Sequence, residues 1–216
     1  MRHQLPQEFI YCHKRERVLA AIAELAHERG AGAMTTMQIV ARAKISRPTL
    51  YEIFESKADC FRFACEEARK HLVDPIEAAG EAPGPWVERM DGAVGGFLEA
   101  AAERPLLAEL GLVHSAGMRS GSERPCHQAV VEALAGVAKG GREAGRQLAG
   151  ELPYREPQPG VEELVACAIV SVVALRIRDG AAELPSLREE LVGVAVRPFL
   201  GAGASAGYGH QRLEVA

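Results

Sequence analysis

The sequence predicts an all-α fold, and three observations carry that reading. Between Thr35 and Phe61, two short apolar stripes at helical spacing each follow a residue suited to cap a helix. Residues 161–178 read as a helix that is apolar nearly all round from Leu164 to Leu175, so it must be covered on most sides. No alternation of apolar and polar residues marks a strand, and no internal repeat stands out.

The elements follow in chain order. Residues 1–13 read as an N-terminal arm that could extend the first helix back to Pro6. The first helix spans 14–29, with Val18, Ile22 and Leu25 inward and Gly30 as its stop. Thr35 and Gln38 form a capping box that opens a second helix ending near Ala43. Lys44 and Ile45 make the turn. Ser46 caps a third helix, which tolerates Pro48 because first-turn N–H groups have no intrahelical partner. Leu50, Ile53 and Phe54 give that helix its apolar stripe. Ser56 and Asp59 cap a fourth, 57–72, which ends before Asp74-Pro75 because a residue preceding proline is driven out of the helical region. Five more helices are expected at 86–103, 105–118, 126–149, 161–178 and 186–200, the last opened by a Ser186/Glu189 capping box. The expected domains are the arm 1–13, a three-helix helix-turn-helix head 14–56, a larger helical ligand-binding and dimerisation domain 57–200 joined through the linking fourth helix, and a flexible tail 201–216.

The head carries the most specific chemistry. Helix-turn-helix proteins lay the N-terminal end of their second helix in the major groove of DNA. The stripe leaves Arg47, Thr49, Tyr51 and Glu52 away from the core. Arg47 is the best base reader, since its fork matches guanine O6 and N7. Thr49 and Tyr51 carry hydroxyls for phosphate or base edges, and Lys57, opening the following helix, can offer an amide and an ammonium to one phosphate. Three ordinary short helices with a solvated face would show the same caps and stripe.

The stretch from about Lys14 to Cys65 resembles the DNA-binding domain of the tetracycline-repressor (TetR) family. The resemblance rests on RERVLAAIAELAHERG, on Thr36, Ile39, Val40 and Ala43, and on SRPTLYEIFESKADCF. It implies that Arg47, Pro48 and Thr49 face bases or backbone and that Tyr51 and Lys57 grip phosphates; Thr36 and Lys44 complete the candidate DNA-binding set. It implies a ligand-responsive regulator, most simply a repressor that binds a palindromic operator as a dimer and is released by a small-molecule effector. Two positions depart from the family pattern. Lys44 stands where the family usually has Gly, and Ala31-Gly32-Ala33 where it usually has an aromatic. Lys44 either strains a turn that favours positive φ or adds a phosphate contact, and the loop 31–33 is expected to be looser. The alternative is a helical ligand- or partner-binding protein whose DNA-binding head is degenerate.

Charge agrees with a separate head. The 216 residues carry a net charge of −4, yet residues 1–72 hold 12 Lys+Arg against 9 Asp+Glu, and the remainder hold 13 against 20. A mildly basic head on an acidic body suits a DNA reader with a sensing domain. Residues 1–13 lack the apolar core of a secretory signal, and the run Leu164–Leu175 is too short to span a bilayer, so a cytoplasmic location is expected. The five cysteines include no C-x-x-C pair and read as reduced thiols.

The body is less explicit. Gly92, Gly95 and Gly96, and Gly136, Gly140, Gly141 and Gly145, allow close helix packing or an adaptable cavity. Trp86, Met90, Phe97, Leu110, His114, Met118, Val130, Leu134 and Cys167 are the candidate ligand-binding lining, each also suited to plain core. His114 is either a polar anchor for a ligand or a satisfied core group. No catalytic constellation, phosphate loop or metal-ligand spacing is present, so no enzyme activity, cofactor or metal is expected. The eighth and ninth predicted helices are expected to meet their copies as a four-helix bundle in a homodimer. The terminal stretch GAAELPSLREELVGVAVRPFLG resembles that of many family members, which dimerise this way.

Overall fold

The computed structural model describes residues 7–115, 125–148 and 156–210, with the backbone alone at 7–8, 148 and 201–210. Among these residues every element is helical: α1 (Gln7–Arg29), a 3-10 turn (Ala31–Ala33), α2 (Thr36–Ala43), α3 (Arg47–Ile53), α4 (Lys57–Glu81), α5 (Trp86–Glu103), α6 (Pro105–Glu109) leading into a π turn (Leu110–His114), α7 (Cys126–Ala138), α8 (Gly140–Leu148), α9 (Val161–Gly180), a 3-10 segment (Ala181–Leu187) and α10 (Arg188–His210). The predicted seventh helix is thus two helices, and the predicted eighth and ninth are α9 and α10. The chain divides into two compact units, one comprising residues up to Arg69 with 106–126, the other Lys70–Pro105 with the chain from His127 onward.

In the first unit, the sequence's inward positions form the core. Val18, Leu19 and Ile22 of α1, Ile39 and Val40 of α2, Leu50 of α3, and Cys60 and Phe61 of α4 are all buried. Burial pushes the Cys60 thiol up to about 11. Arg42 of α2 bridges Glu24 and Glu28 of α1, each at 2.8 Å, and its hydrogen bond holds the Glu28 carboxyl below its usual range. Arg15 lies 4.1 Å above the ring centre of Phe63, which packs on Phe54 with centroids 5.3 Å apart. Gly30 ends α1 at φ 78°, and the following loop is tighter than expected: it closes as a 3-10 turn with Ala31 buried. The first helix also begins earlier than residue 14, at Gln7, so much of the predicted arm is helical.

The same unit holds 106–115. There Glu109 is 2% exposed yet has imidazole partners. Nδ1 of His27 on α1 lies 2.6 Å from Oε2, and Nε2 of His114 lies 3.3 Å from Oε1. A buried carboxylate is costly unless it is bonded in this way. The helix widens locally here, and the described part of the predicted helix 105–118 is therefore α6 plus a π turn rather than one continuous α-helix.

The second unit corrects several expected boundaries. The fourth helix does not stop at Asp74 but runs through Pro75 to Glu81. Leu72, Val73 and Ile76 are buried around the proline, so packing holds the helix across one missing N–H. Gly96 of α5 makes room for it, since a Cβ there would lie 3.0 Å from that of Pro75. The break between α7 and α8 follows from Gly140 and Gly141, which press on the ring of Trp86, Gly141 also meeting Phe199. Trp86 in turn donates its indole N–H to the Val137 carbonyl at 2.8 Å and stands edge-on to Phe199 at 5.4 Å. The Ser186/Glu189 capping box does not form. Buried Leu184 pins a 3-10 segment, in which the Ser186 hydroxyl donates to the Glu183 carbonyl at 2.7 Å. The last helix continues beyond residue 200 to His210, through part of the expected tail.

Candidate DNA-binding site

The site starts from two caps. Thr35 accepts from the Gln38 backbone N–H at 3.3 Å, while Gln38 Oε1 accepts from the Thr35 N–H at 2.8 Å, so the capping box is complete. Ser46 Oγ accepts from the Thr49 N–H at 3.1 Å and opens α3, with Pro48 in the first turn. Between them Lys44 takes the left-handed conformation, φ 52° and ψ 43°, with its N–H directed to carbonyls of α2. Ile45 N–H closes on Val40 at 3.1 Å. The turn thus has the conformation that favours glycine, with lysine in it.

Burying Leu50 fixes the rotation of α3. Arg47, Pro48, Tyr51 and Glu52 then face solvent, and Thr49 is half-buried. The Arg47 guanidinium lies 5.7 Å from the Tyr51 ring centre, so the two share one face. Two candidates are already engaged. Thr49 Oγ1 is 2.8 Å from Ser46 Oγ, as part of the cap, and Lys57 Nζ donates to the Met34 carbonyl at 3.0 Å. A hydroxyl and an ammonium each retain further bonding capacity. Lys44 is exposed, and Thr36 is half-buried in the first turn of α2. Ser56 caps Asp59 at 3.1 Å, and Asp59 accepts from the Glu55 N–H rather than from Ser56. Arg17 escaped the sequence reading: its guanidinium donates to the Lys44 carbonyl. No local spacing signals a contact between residues 27 positions apart.

The candidate ligand residues divide. In the second unit Trp86, Met90, Phe97, Val130 and Leu134 are buried. Cys167 is not part of that set: it is exposed on α9. The single chain leaves a stripe at Leu164, Cys167, Ser171 and Leu175 open along α9, with Leu164 70% and Leu175 72% exposed. In the first unit Leu110 is buried and His114 bonds Glu109, the satisfied-core arrangement. Met118 lies outside the described residues. Among the described residues no His, Cys, Asp or Glu cluster could hold a metal, and no helix is long and apolar enough to cross a membrane.

A capped helix-turn-helix with an exposed Arg–Tyr face defines a DNA-binding class of protein. Residues 18–63 match the model of bacterial regulatory proteins of the tetR family. The head therefore belongs to that family of DNA-binding transcription regulators. Solved structures share the fold over most of the chain. A TetR-like transcriptional regulator from Rhodococcus sp. RHA1 is 19% identical at a TM-score of 0.64, covering 92% of this chain and 100% of its own. The regulator PfmR from Thermus thermophilus is 20% identical at 0.68, covering 85% and 95%. The regulator FadR from Bacillus subtilis, in complex with stearoyl-CoA, is 15% identical at 0.55, covering 84% and 97%. No match is found among curated proteins.

Proposed function

We propose that this chain is a ligand-responsive repressor that binds a palindromic operator as a homodimer and is released by a small-molecule effector. The observation that carries the reading is the outward face of α3, where Arg47 and Tyr51 stand together beside a cap-ordered turn. Arg47 reads a base, Pro48 and Thr49 meet base edges or backbone, and Thr36, Lys44, Tyr51 and Lys57 hold phosphates. The head comprises residues 14–56, the ligand-binding and dimerisation domain 57–200, and the protein acts in the cytoplasm. The dimer forms through α9 and α10, whose open Leu164, Leu175 and Val194 supply an apolar face for a second copy. Val196, by contrast, is 1% exposed and belongs to the chain's own core. The effector is an apolar or amphipathic molecule such as a long acyl thioester, a class supported by the stearoyl-CoA bound to the Bacillus subtilis regulator.

The test measures binding to a palindromic duplex that the protein itself selects from random-sequence DNA. Arg47→Ala should cost about 1–3 kcal/mol per half-site and relax preference at one base pair. Lys57→Ala should weaken all sequences alike and lower the salt slope by about one unit per half-site. Equal loss on every operator variant from Arg47→Ala would remove it as the reader. Leu175→Glu should yield monomer in light scattering, and stearoyl-CoA should release the duplex. Saturation with unchanged DNA affinity would reject acyl thioesters as effectors.

A further inference from the structure

We propose that Arg17 is a positioning residue for DNA binding: reaching from α1, it locks the left-handed Lys44 turn and so fixes the direction of α3. The inference rests on the DNA-binding reading of the head.

Lys44 is the only non-glycine residue at positive φ among the described residues. A side chain there costs more than glycine does, because Cβ crowds the backbone in the left-handed region. Such a conformation persists only where its surroundings over-determine it. Backbone bonds hold the N–H side of the turn, from Lys44 to Ala41 and from Ile45 to Val40. The carbonyl of Lys44 lies at the C-terminal end of α2, where acceptors lack helical partners and a cation is favoured. The Arg17 guanidinium supplies that cation. Two residues on, Ser46 begins α3, so any change in the Lys44 dihedrals swings Arg47 and Tyr51 together. On the same face of the pairing, Arg42 binds Glu24 and Glu28, so α1 grips α2 and the turn at separate points. Arg17 thereby stands in for the glycine that this turn would otherwise need.

The experiment compares the wild type, Arg17→Ala, Lys44→Gly and the double variant on the palindromic duplex selected by the wild type. Arg17→Ala should weaken binding roughly ten-fold in the Lys44 chain, equally across operator variants and with an unchanged salt slope, but by no more than about two-fold when it is made in a Lys44→Gly chain and compared with Lys44→Gly alone. The coupling between the two substitutions is the decisive readout: glycine relaxes the turn without replacing any contact of Arg17, and whatever phosphate contact Lys44 makes is lost equally from both Lys44→Gly chains. Two results would overturn the proposal: an Arg17→Ala variant that binds as the wild type does, or an Arg17→Ala loss that is equally large in the Lys44 and Lys44→Gly chains, which with a salt slope lowered by about one unit per half-site on Arg17→Ala would mark a direct phosphate contact instead. Arg17→Met, which keeps the aliphatic stem, takes the place of Arg17→Ala if thermal unfolding shows that the alanine variant is not folded. A wild-type protein that selects no duplex would refute the DNA-binding reading instead, and so is distinct from either result.

Discussion

The helix-turn-helix head and the unit built on α5 and α7–α10 face the same problem, holding helices in register, and they meet it differently. The head uses polar bonds at its surface. Its helices α2 and α3 are 8 and 7 residues long, too short to persist without help, and Thr35, Ser46, Arg42 and Arg17 each tie one end. The second unit uses shape. Gly141 admits Trp86 and Phe199, Gly96 admits Pro75, and Gly80 admits Val137, which would lie 2.8 Å from an added Cβ. Surface ties are individually small and respond to solvent and salt, whereas interlocked rings fail together.

The largest effect should come from breaking the interlock. A Cβ on Gly141 would sit 2.6 Å from both Phe199 Cγ and Trp86 Cζ2, neither of which can swing away as a surface chain could. Gly141→Ala should destabilise the fold by about 3 kcal/mol, read by thermal unfolding. Gly136, on α7, has nothing within 4 Å of an added Cβ, so Gly136→Ala should stabilise by about 0.5–1 kcal/mol. Equal responses at the two positions would mean that shape is not what holds this unit.

One polar clamp in the second unit sharpens the contrast. Arg142 binds the buried Glu162 carboxylate at Oε1 and Oε2 and also takes the Pro157 and Gln158 carbonyls at 2.7 and 2.9 Å, fastening α8 to the start of α9. The guanidinium beside it holds the Glu162 carboxyl below its usual range. A lowered folded-state value means that the contribution is complete above the unfolded-state value and is lost as pH falls through the folded one. Glu162→Ala should cost about 2 kcal/mol at neutral pH and show a flatter acid limb in denaturant titrations than the wild type. Parallel acid limbs in the two proteins would reject the clamp as a source of stability.

What the sequence made legible divides along the same line. Caps act over three or four residues, so Thr35–Gln38 and Ser46–Thr49 could be read from spacing alone. The Ser186/Glu189 pair has the same spacing and forms no cap, because buried Leu184 imposes a 3-10 segment that spacing does not encode. Pro75 misled for a related reason: tertiary burial of Leu72 and Ile76 outweighs a local preference. Contacts such as Arg17–Lys44 and Arg188–Asp91 join residues 27 and 97 positions apart and leave no periodic trace. For the candidate site, the stripe that buries Leu50 correctly turned Arg47 and Tyr51 outward. Cys167 was placed inward because apolar periodicity cannot separate a face covered by the chain itself from one left open for another molecule.

The smallest effects belong to the caps, and they test whether the head's surface bonds serve stability or direction. Thr35→Ala removes the acceptor for the Gln38 N–H, and Ser46→Ala removes that for Thr49, so each should cost about 1 kcal/mol of stability. Their consequences on DNA should differ. Thr35 opens α2, which is also fastened to α1 through Arg42, so its loss should leave operator affinity within about two-fold after correction for the unfolded fraction. Ser46 opens the helix that carries Arg47 and also holds the Thr49 hydroxyl at 2.8 Å. Losing it frees Thr49 and frays the first turn of α3, so affinity should fall further than stability does. Titration of both variants against the selected duplex, at a temperature where each is fully folded, separates the two cases. An equal loss of affinity would mean that the caps act only by keeping the head folded, and that the direction of α3 is set elsewhere, by the Lys44 turn and the arginine that holds it.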